Sequence, residues 1–237
     1  MITYSIESAV FEMFPAFRRG VVIATGINNS VAAPKSGRLL AEAVSQTNDS
    51  PRQIELDRIA AWNRAFSTLG MNPDKFTPSI RFLIEQVRRG KPPRSINPLV
   101  DLFNRTSLHF TIPCGGDDLG ALNGGDLCLG FSRGGESFVP LFKPGSVEHL
   151  PAGELTYFCP QTREALCRRW VWRNSHTTRI TPETVNVAVN LDCLPPTGES
   201  DLRVAIGQLA ALTQEFCGGR VRTYVFSAAN PSVQIEL

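Results

Sequence analysis

Between Arg163 and Arg179 the chain reads "REALCRRWVWRNSHTTR", five arginines set around Trp170 and Trp172. Guanidinium groups clasp phosphates bidentately and indole rings stack on bases. The segment therefore has the composition of a nucleic-acid contact or an anionic-ligand pocket, with Arg168, Arg169, Trp172 and Arg173 as its contact residues. On a strand, Arg169, Val171 and Arg173 share one face and Arg168, Trp170 and Trp172 the other. The plainer alternative is a strand with core tryptophans and arginines lying along the surface. A second basic cluster, "RRGKPPR" at Arg88–Arg94, precedes the next chemistry-bearing stretch.

That stretch, "SINPLVDLFNRTSLHFTIPCGGDD" (Ser95–Asp118), ends in Pro113, Cys114, two glycines and two aspartates. Cys114, with His109 five residues earlier and His176 far downstream, could act as a thiol nucleophile beside an imidazole base. A cysteine in a tight turn is more often inert. Asp117, Asp118 and Asp126 could bind a metal or exchange protons, but "DDLGALNGGD" lacks the alternating ligands of a calcium loop, and turn-capping carboxylates are the better reading. "LNGGD" and "SRGGES" match neither GxGxxG nor a phosphate loop and read as hairpin turns. No metal and no cofactor is expected.

These residues need elements to hold them. "GVVIATGI" (Gly20–Ile27) has the pattern of a buried strand, and a short helix is expected around Leu39–Val44. Ile59, Trp62, Phe66 and Leu69 recur at helical spacing ahead of Gly70. "TPSIRFLIEQVRRG" predicts another helix, with Thr77 as cap, Pro78 in the first turn and Gly90 at the end. A third follows from Asn97 as cap, Pro98 in the first turn, and Leu99, Leu102, Phe103 and Thr106 facing inward. The Pro-Cys-Gly-Gly run then reads as an open turn.

Beyond Asp118 come short strand-like runs, "DLCLGF", "SFVPLF", "ELTYFC", "LCRRWV" and "VNVAVNLDCL". A helix capped by Ser200 and closed by Gly218, and a last strand "RVRTYVFSA", complete the chain. Helices followed by strands predict an α+β fold, a β-rich core with flanking helices, rather than an alternating doubly wound sheet. The expected organisation is a single domain over 1–237: strand and helices in 1–94, a motif-bearing core in 95–194, and a C-terminal helix and strand in 195–237.

A chain of 237 residues with 42% hydrophobic content can bury a sizeable core, which excludes disorder as its main state. The net charge of +2 neither demands nor excludes a nucleic-acid partner. No apolar run approaches the roughly 18 residues needed to span a bilayer, and the N-terminus lacks the layout of a signal peptide. A cytoplasmic protein with no membrane partner is expected. The six cysteines are scattered without a CxxC pair, which argues against a disulfide framework or a zinc site.

The opening stretch resembles the segment that begins the B3/B4 domain of the bacterial phenylalanyl-tRNA synthetase β subunit. That family reads approximately N-V-V-D-x-T-N and then L-G-Q-P-x-H-A-F-D, matched here by Asn97, Val100, Asp101, Asn104, Pro113 and Asp118. "TPETVNVAVNLDCL" resembles the same domain's D-E-T-x-N-V-L-L-E run through Glu183, Thr184, Asn186 and Val187. The resemblance spans roughly Ser95–Leu194, and the flanking helix-turn and "CRRWVWR" segments look like free-standing proteins that carry this domain.

The resemblance implies a cavity that hydrolyses an amino acid wrongly esterified to tRNA, with protein groups mainly positioning the substrate and its attacking water. Three positions depart from the family. Gly115 stands where it has histidine, Asn190 where it has the glutamate that reads a tyrosine hydroxyl, and Trp170 near its glycine-rich pocket wall. Tyrosine on the phenylalanine tRNA is therefore not the expected substrate. The site implied has Asn104, Asn190 and His176 as catalytic candidates, and Cys114, Gly115, Gly116, Asp118 and Trp170 around the pocket. The expected partner is tRNA or aminoacyl-tRNA, and the expected function is a deacylase acting in trans. The alternatives are a non-catalytic tRNA- or RNA-binding module and a small-molecule enzyme using Cys114.

Overall fold

The computed structural model describes residues 1–30, 34–49, 52–122 and 124–236. In chain order the elements are β1 (Ile2–Ile6), α1 (Ser8–Met13), β2 (Arg18–Thr25), α2 (Pro34–Asn48), α3 (Gln53–Thr68), α4 (Ser79–Arg88) and α5 (Pro98–Phe110). Then follow β3 (Cys114–Asp118), β4 (Leu127–Phe131), β5 (Ser137–Phe138), β6 (Glu148–His149), β7 (Leu155–Cys159), β8 (Glu164–Arg168) and β9 (Arg173–Asn174). The chain closes with β10 (Val187–Cys193), α6 (Glu199–Cys217), β11 (Arg220–Phe226) and β12 (Ser232–Ile235). This is the α+β class expected.

Two sheets make the core. One runs β12-β1-β4-β7-β8-β5-β6, with β9 paired to β8; the other runs β11-β2-β10-β3. In the second, β2 and β10 are central and almost wholly buried, as their apolar runs require of strands covered on both faces. Val22, Ala24, Val187, Val189 and Leu191 turn one way and pack with Leu102 and Phe103 of α5 and Leu202, Ile206 and Leu209 of α6. Val21, Ile23 and Ala188 turn the other way and join a core with Tyr4, Leu129 and Tyr157 of the larger sheet. The period of two thus divides the small sheet between a helical layer and a second sheet.

Several local expectations are corrected. "PCGGDD" is not an open turn: Cys114–Asp118 pairs antiparallel with β10 as the outer strand of its sheet. Glycine suits this strand because a Cβ at Gly116 would lie 2.6 Å from the Phe103 ring, so its absence lets α5 press directly on β3. The "LCRRWV" strand stops at Arg168, because Arg169 and Trp170 adopt left-handed backbone with φ of 50° and 64°. The alternating faces expected through Trp172 do not form.

Asn97 caps α5 as expected, its side chain accepting from the Val100 N–H at 3.0 Å. Pro78, not Thr77, occupies the cap position of α4, and Gly198 that of α6 rather than Ser200. The N-terminal segment holds β1 and α1, and α2 extends well beyond Leu39–Val44. The "LNGGD" reading includes Asn123, outside the described residues. "SRGGES" joins β4 to β5, which do not pair, so it closes no hairpin. Among the described residues no helix is long and apolar enough to cross a membrane.

Candidate active site

A cavity of about 390 Å³ opens in the crevice between the two sheets. One wall is the inward face of the small sheet, with Arg19, Asn190, Asp192, Gly115 and Asp117. The facing wall carries Tyr157 and Cys167, and Trp170, Trp172, Phe82, Asn104 and Ser107 complete the surround. The β10 register explains the first wall. Asn190 pairs with Val21 on one side and Gly115 on the other; Asp192 pairs with Arg19; Ala188 pairs with Ile23 and Asp117. Every one of these residues therefore shares a face.

A hydrogen-bonded network runs across this wall. Arg19 meets Asp192 bidentately, Nε to Oδ1 at 2.5 Å and Nη2 to Oδ2 at 2.6 Å, and Trp170 Nε1 donates to the same carboxylate at 2.9 Å. Arg19 Nη1 donates to the Tyr4 hydroxyl at 3.0 Å, and that hydroxyl donates to Asn190 Oδ1. Asn190 Nδ2 lies 3.5 Å from Asp117 Oδ2, and Thr178 donates to Asp117 Oδ1 at 2.6 Å. The Arg19 and Asp192 side chains are 2% exposed. Burial of this depth is tolerable only because the charges are mutually neutralised and multiply bonded.

The electrostatics separate the groups. Burial works against the Arg19 charge, but Asp192, with Tyr4 and Tyr157 adding to it, outweighs burial and leaves Arg19 more firmly protonated than usual. Among the described residues Asp117 has no such partner. Burial pushes its carboxyl up to about 7, only partly opposed by the Thr178 hydrogen bond and the Arg19 charge. Burial also pushes the Cys114 thiol far above its ordinary value, with Asp192 adding to the effect. A thiolate nucleophile is disfavoured there.

The ladder also turns alternate backbone groups of β3 away from β10. Asp192 N–H donates to the Pro113 carbonyl, whereas Asp118 N–H donates away from β10, to the Thr178 carbonyl. By the alternation of an antiparallel pair, the backbone N–H and C=O of Cys114 and Gly116 point off the outer edge of the sheet.

Of the residues singled out from sequence, Asn104, Asn190, Cys114, Gly115, Gly116, Trp170, Trp172 and Arg173 all line this cavity. Asp118 does not. It accepts from Thr184 at 2.7 Å and from the Gly120 N–H at 2.8 Å, tying down the turn after β3. His176 also lies off the cavity, its Nδ1 accepting from the Phe142 N–H at 3.2 Å. His109 stacks edge-on against Phe110 at the end of α5.

The arginine cluster divides. Arg168 is buried and bound bidentately by Glu154, at 2.9 and 2.7 Å, and by Glu148 at 2.6 Å. Arg169 lies 3.9 Å over the Phe76 ring and 4.8 Å from Trp172, with Glu154 3.6 Å away. Arg173 lies at the cavity, 5.6 Å from the Trp172 ring and 3.5 Å from Glu148. Trp170 is a wall, 1% exposed and packed among Phe14, Phe17 and Trp62.

Sequence reasoning missed Arg19, Asp192, Tyr4 and Tyr157 and set Asp117 aside as a turn cap. A signal existed for the first two. In "RRGVVIAT" and "VAVNLDC", Arg19 and Asp192 fall in phase with buried positions of two apolar strands, where opposite charges are tolerated only as a pair.

Residues 61–218 match the family model described as the B3/4 domain. Among solved structures, an N-terminal fragment of the phenylalanyl-tRNA synthetase β subunit from Pyrococcus horikoshii is 11% identical, with a TM-score of 0.42. The alignment covers 93% of this chain and 50% of that fragment, so the chain spans about half its length. With a family model matched over well more than half of its residues, the chain belongs to the B3/4 domain family.

Proposed function

We propose that the protein is an aminoacyl-tRNA deacylase acting in trans, on a mischarged tRNA whose amino acid is other than tyrosine. The observation that carries this reading is the cavity itself. Gly115 and Asn190, where the family resemblance expects groups that handle the esterified amino acid, are ladder partners on its wall.

The chemistry needed is modest. Water adds to the ester carbonyl carbon, the bond to the ribose oxygen breaks, and free amino acid and tRNA with a free hydroxyl leave. The lining offers amide groups on Asn104 and Asn190, and the outward N–H groups of β3 can donate to the carbonyl oxygen as it gains charge. Burial disfavours the Cys114 thiolate, which argues against it as nucleophile. Phe82, 54% exposed, lines the cavity together with Trp172 and Arg173, a set suited to stacking on a terminal base and meeting a phosphate.

The test is release of amino acid from a panel of correctly and incorrectly charged tRNAs by the purified protein. Release confined to a narrow subset supports the proposal. Absence of release, with tRNA binding that weakens as salt rises, would leave a binding module in its place.

A further inference from the structure

We infer that Asp117 and Tyr157 form a subsite for a primary ammonium group, the α-amino group of the amino acid that enters the cavity. Within the cavity wall one carboxyl stands apart from the cations. Arg19 is matched by Asp192, and Arg173 lies near Glu148, whereas among the described residues Asp117 has no ion-pair partner. Its neighbours contribute no second cation. Asp118 lies on its own strand, Tyr157 and Cys167 come from the facing sheet, and Arg19 is engaged by Asp192 and the Tyr4 hydroxyl. Asp117 is thus a carboxyl that no cation contacts among the described residues, and its complement is a cation brought by the ligand.

Tyr157 supplies the second, independent observation. It lines the same cavity at 2% exposure, and its hydroxyl, beside that of Tyr4, is left without a hydrogen bond of good geometry. A buried hydroxyl whose neighbour is another hydroxyl keeps hydrogen-bonding capacity that a ligand can complete. An ammonium donates three hydrogen bonds. Asp117 keeps lone pairs beyond those used by Thr178 and Asn190, and the Tyr157 oxygen accepts as well. Burial pushes the Asp117 carboxyl up to about 7, and an arriving cation favours its ionised form.

This subsite deepens the deacylase reading but is testable apart from it. The probes are 3′-aminoacylamino-3′-deoxyadenosines spanning the proteinogenic side chains, amides that resist hydrolysis, each beside its deamino counterpart. Trp170 and Trp172 at the cavity report binding by fluorescence. Amine-bearing probes are expected to bind at least about tenfold tighter than deamino ones. Asp117→Asn removes that preference, and Tyr157→Phe, which deletes only the hydroxyl, reduces it severalfold. Equal binding of amine and deamino probes, a preference that survives Asp117→Asn in folded protein, or no binding by any probe overturns the subsite. Amine-dependent binding without hydrolysis of any aminoacyl-tRNA would keep the subsite and sink the deacylase. Hydrolysis indifferent to the amino group would do the reverse.

Discussion

Gly115 and Asn190 face each other across one rung of the β3–β10 ladder, and the Asn190 side chain reaches from that rung to the Tyr4 hydroxyl on one side and toward Asp117 on the other. A residue on β10 is thereby coupled to the Arg19–Asp192 pair and to the lone carboxyl at once. The expectations that follow concern the parts of this network separately.

Breaking the buried ion pair should be costly. Arg19→Met leaves Asp192 buried with Trp170 as its one remaining side-chain donor among the described residues, and the loss expected is about 3–5 kcal/mol. Replacing both, as Arg19→Met with Asp192→Leu, should recover a large part of that loss. Urea denaturation of the two variants measures it, and a single variant as stable as the parent would contradict the network.

Asp117 should make stability depend on pH in a definite direction. Its carboxyl is raised from 3.8 to about 7 by burial, so the folded protein retains a proton that the unfolded chain gives up. The stability this contributes is full below about pH 4 and lost as pH rises through 7, at roughly 1.4 kcal/mol for each unit of difference. Asp117→Asn should therefore be the more stable protein at pH 8, by roughly 2 kcal/mol or more, with the gap closing below pH 4. Melting curves across that range decide it.

Cys114 should prove dispensable. With its thiol pushed far above the ordinary value, maleimide should label it much more slowly at pH 7.5 than a free peptide cysteine. Cys114→Ala should keep deacylation within about threefold of the parent, a margin below 1 kcal/mol. Loss of activity in Cys114→Ala would revive the thiol as nucleophile.

The mouth should govern tRNA affinity. Phe82→Ala and Arg173→Ala are each expected to weaken tRNA binding severalfold, the first by loss of stacking and the second with a shallower dependence on salt. Arg168→Lys should change stability but not the salt dependence, because that guanidinium is held by Glu148 and Glu154. Filter binding at several salt concentrations separates the two effects.

The sequence made the α+β class, α5 with its Asn97 cap, and a strand in "VNVAVNLDCL" legible, because each depends on periodicity or capping within a few residues. β3 was not legible. Two consecutive glycines read as a turn when the strand partner is β10, some seventy residues away, and what makes glycine fit is Phe103 pressing on the strand. Trp170 misled for a related reason. Alternation predicted a strand through it, whereas left-handed backbone at Arg169 and Trp170 turns the indole inward to Asp192. Arg19 and Tyr157 enter the site only through the packing of one sheet on another, which local pattern does not carry.

The most direct measurement is single-turnover hydrolysis of the aminoacyl-tRNA that the panel identifies, comparing the parent with Asn190→Ala. We predict that the rate falls at least about tenfold in Asn190→Ala while tRNA affinity stays within about twofold, because the lost amide acts inside the cavity and not at its mouth. An unchanged rate in Asn190→Ala, or no charged tRNA hydrolysed by the parent, would contradict the assignment of this cavity to ester hydrolysis.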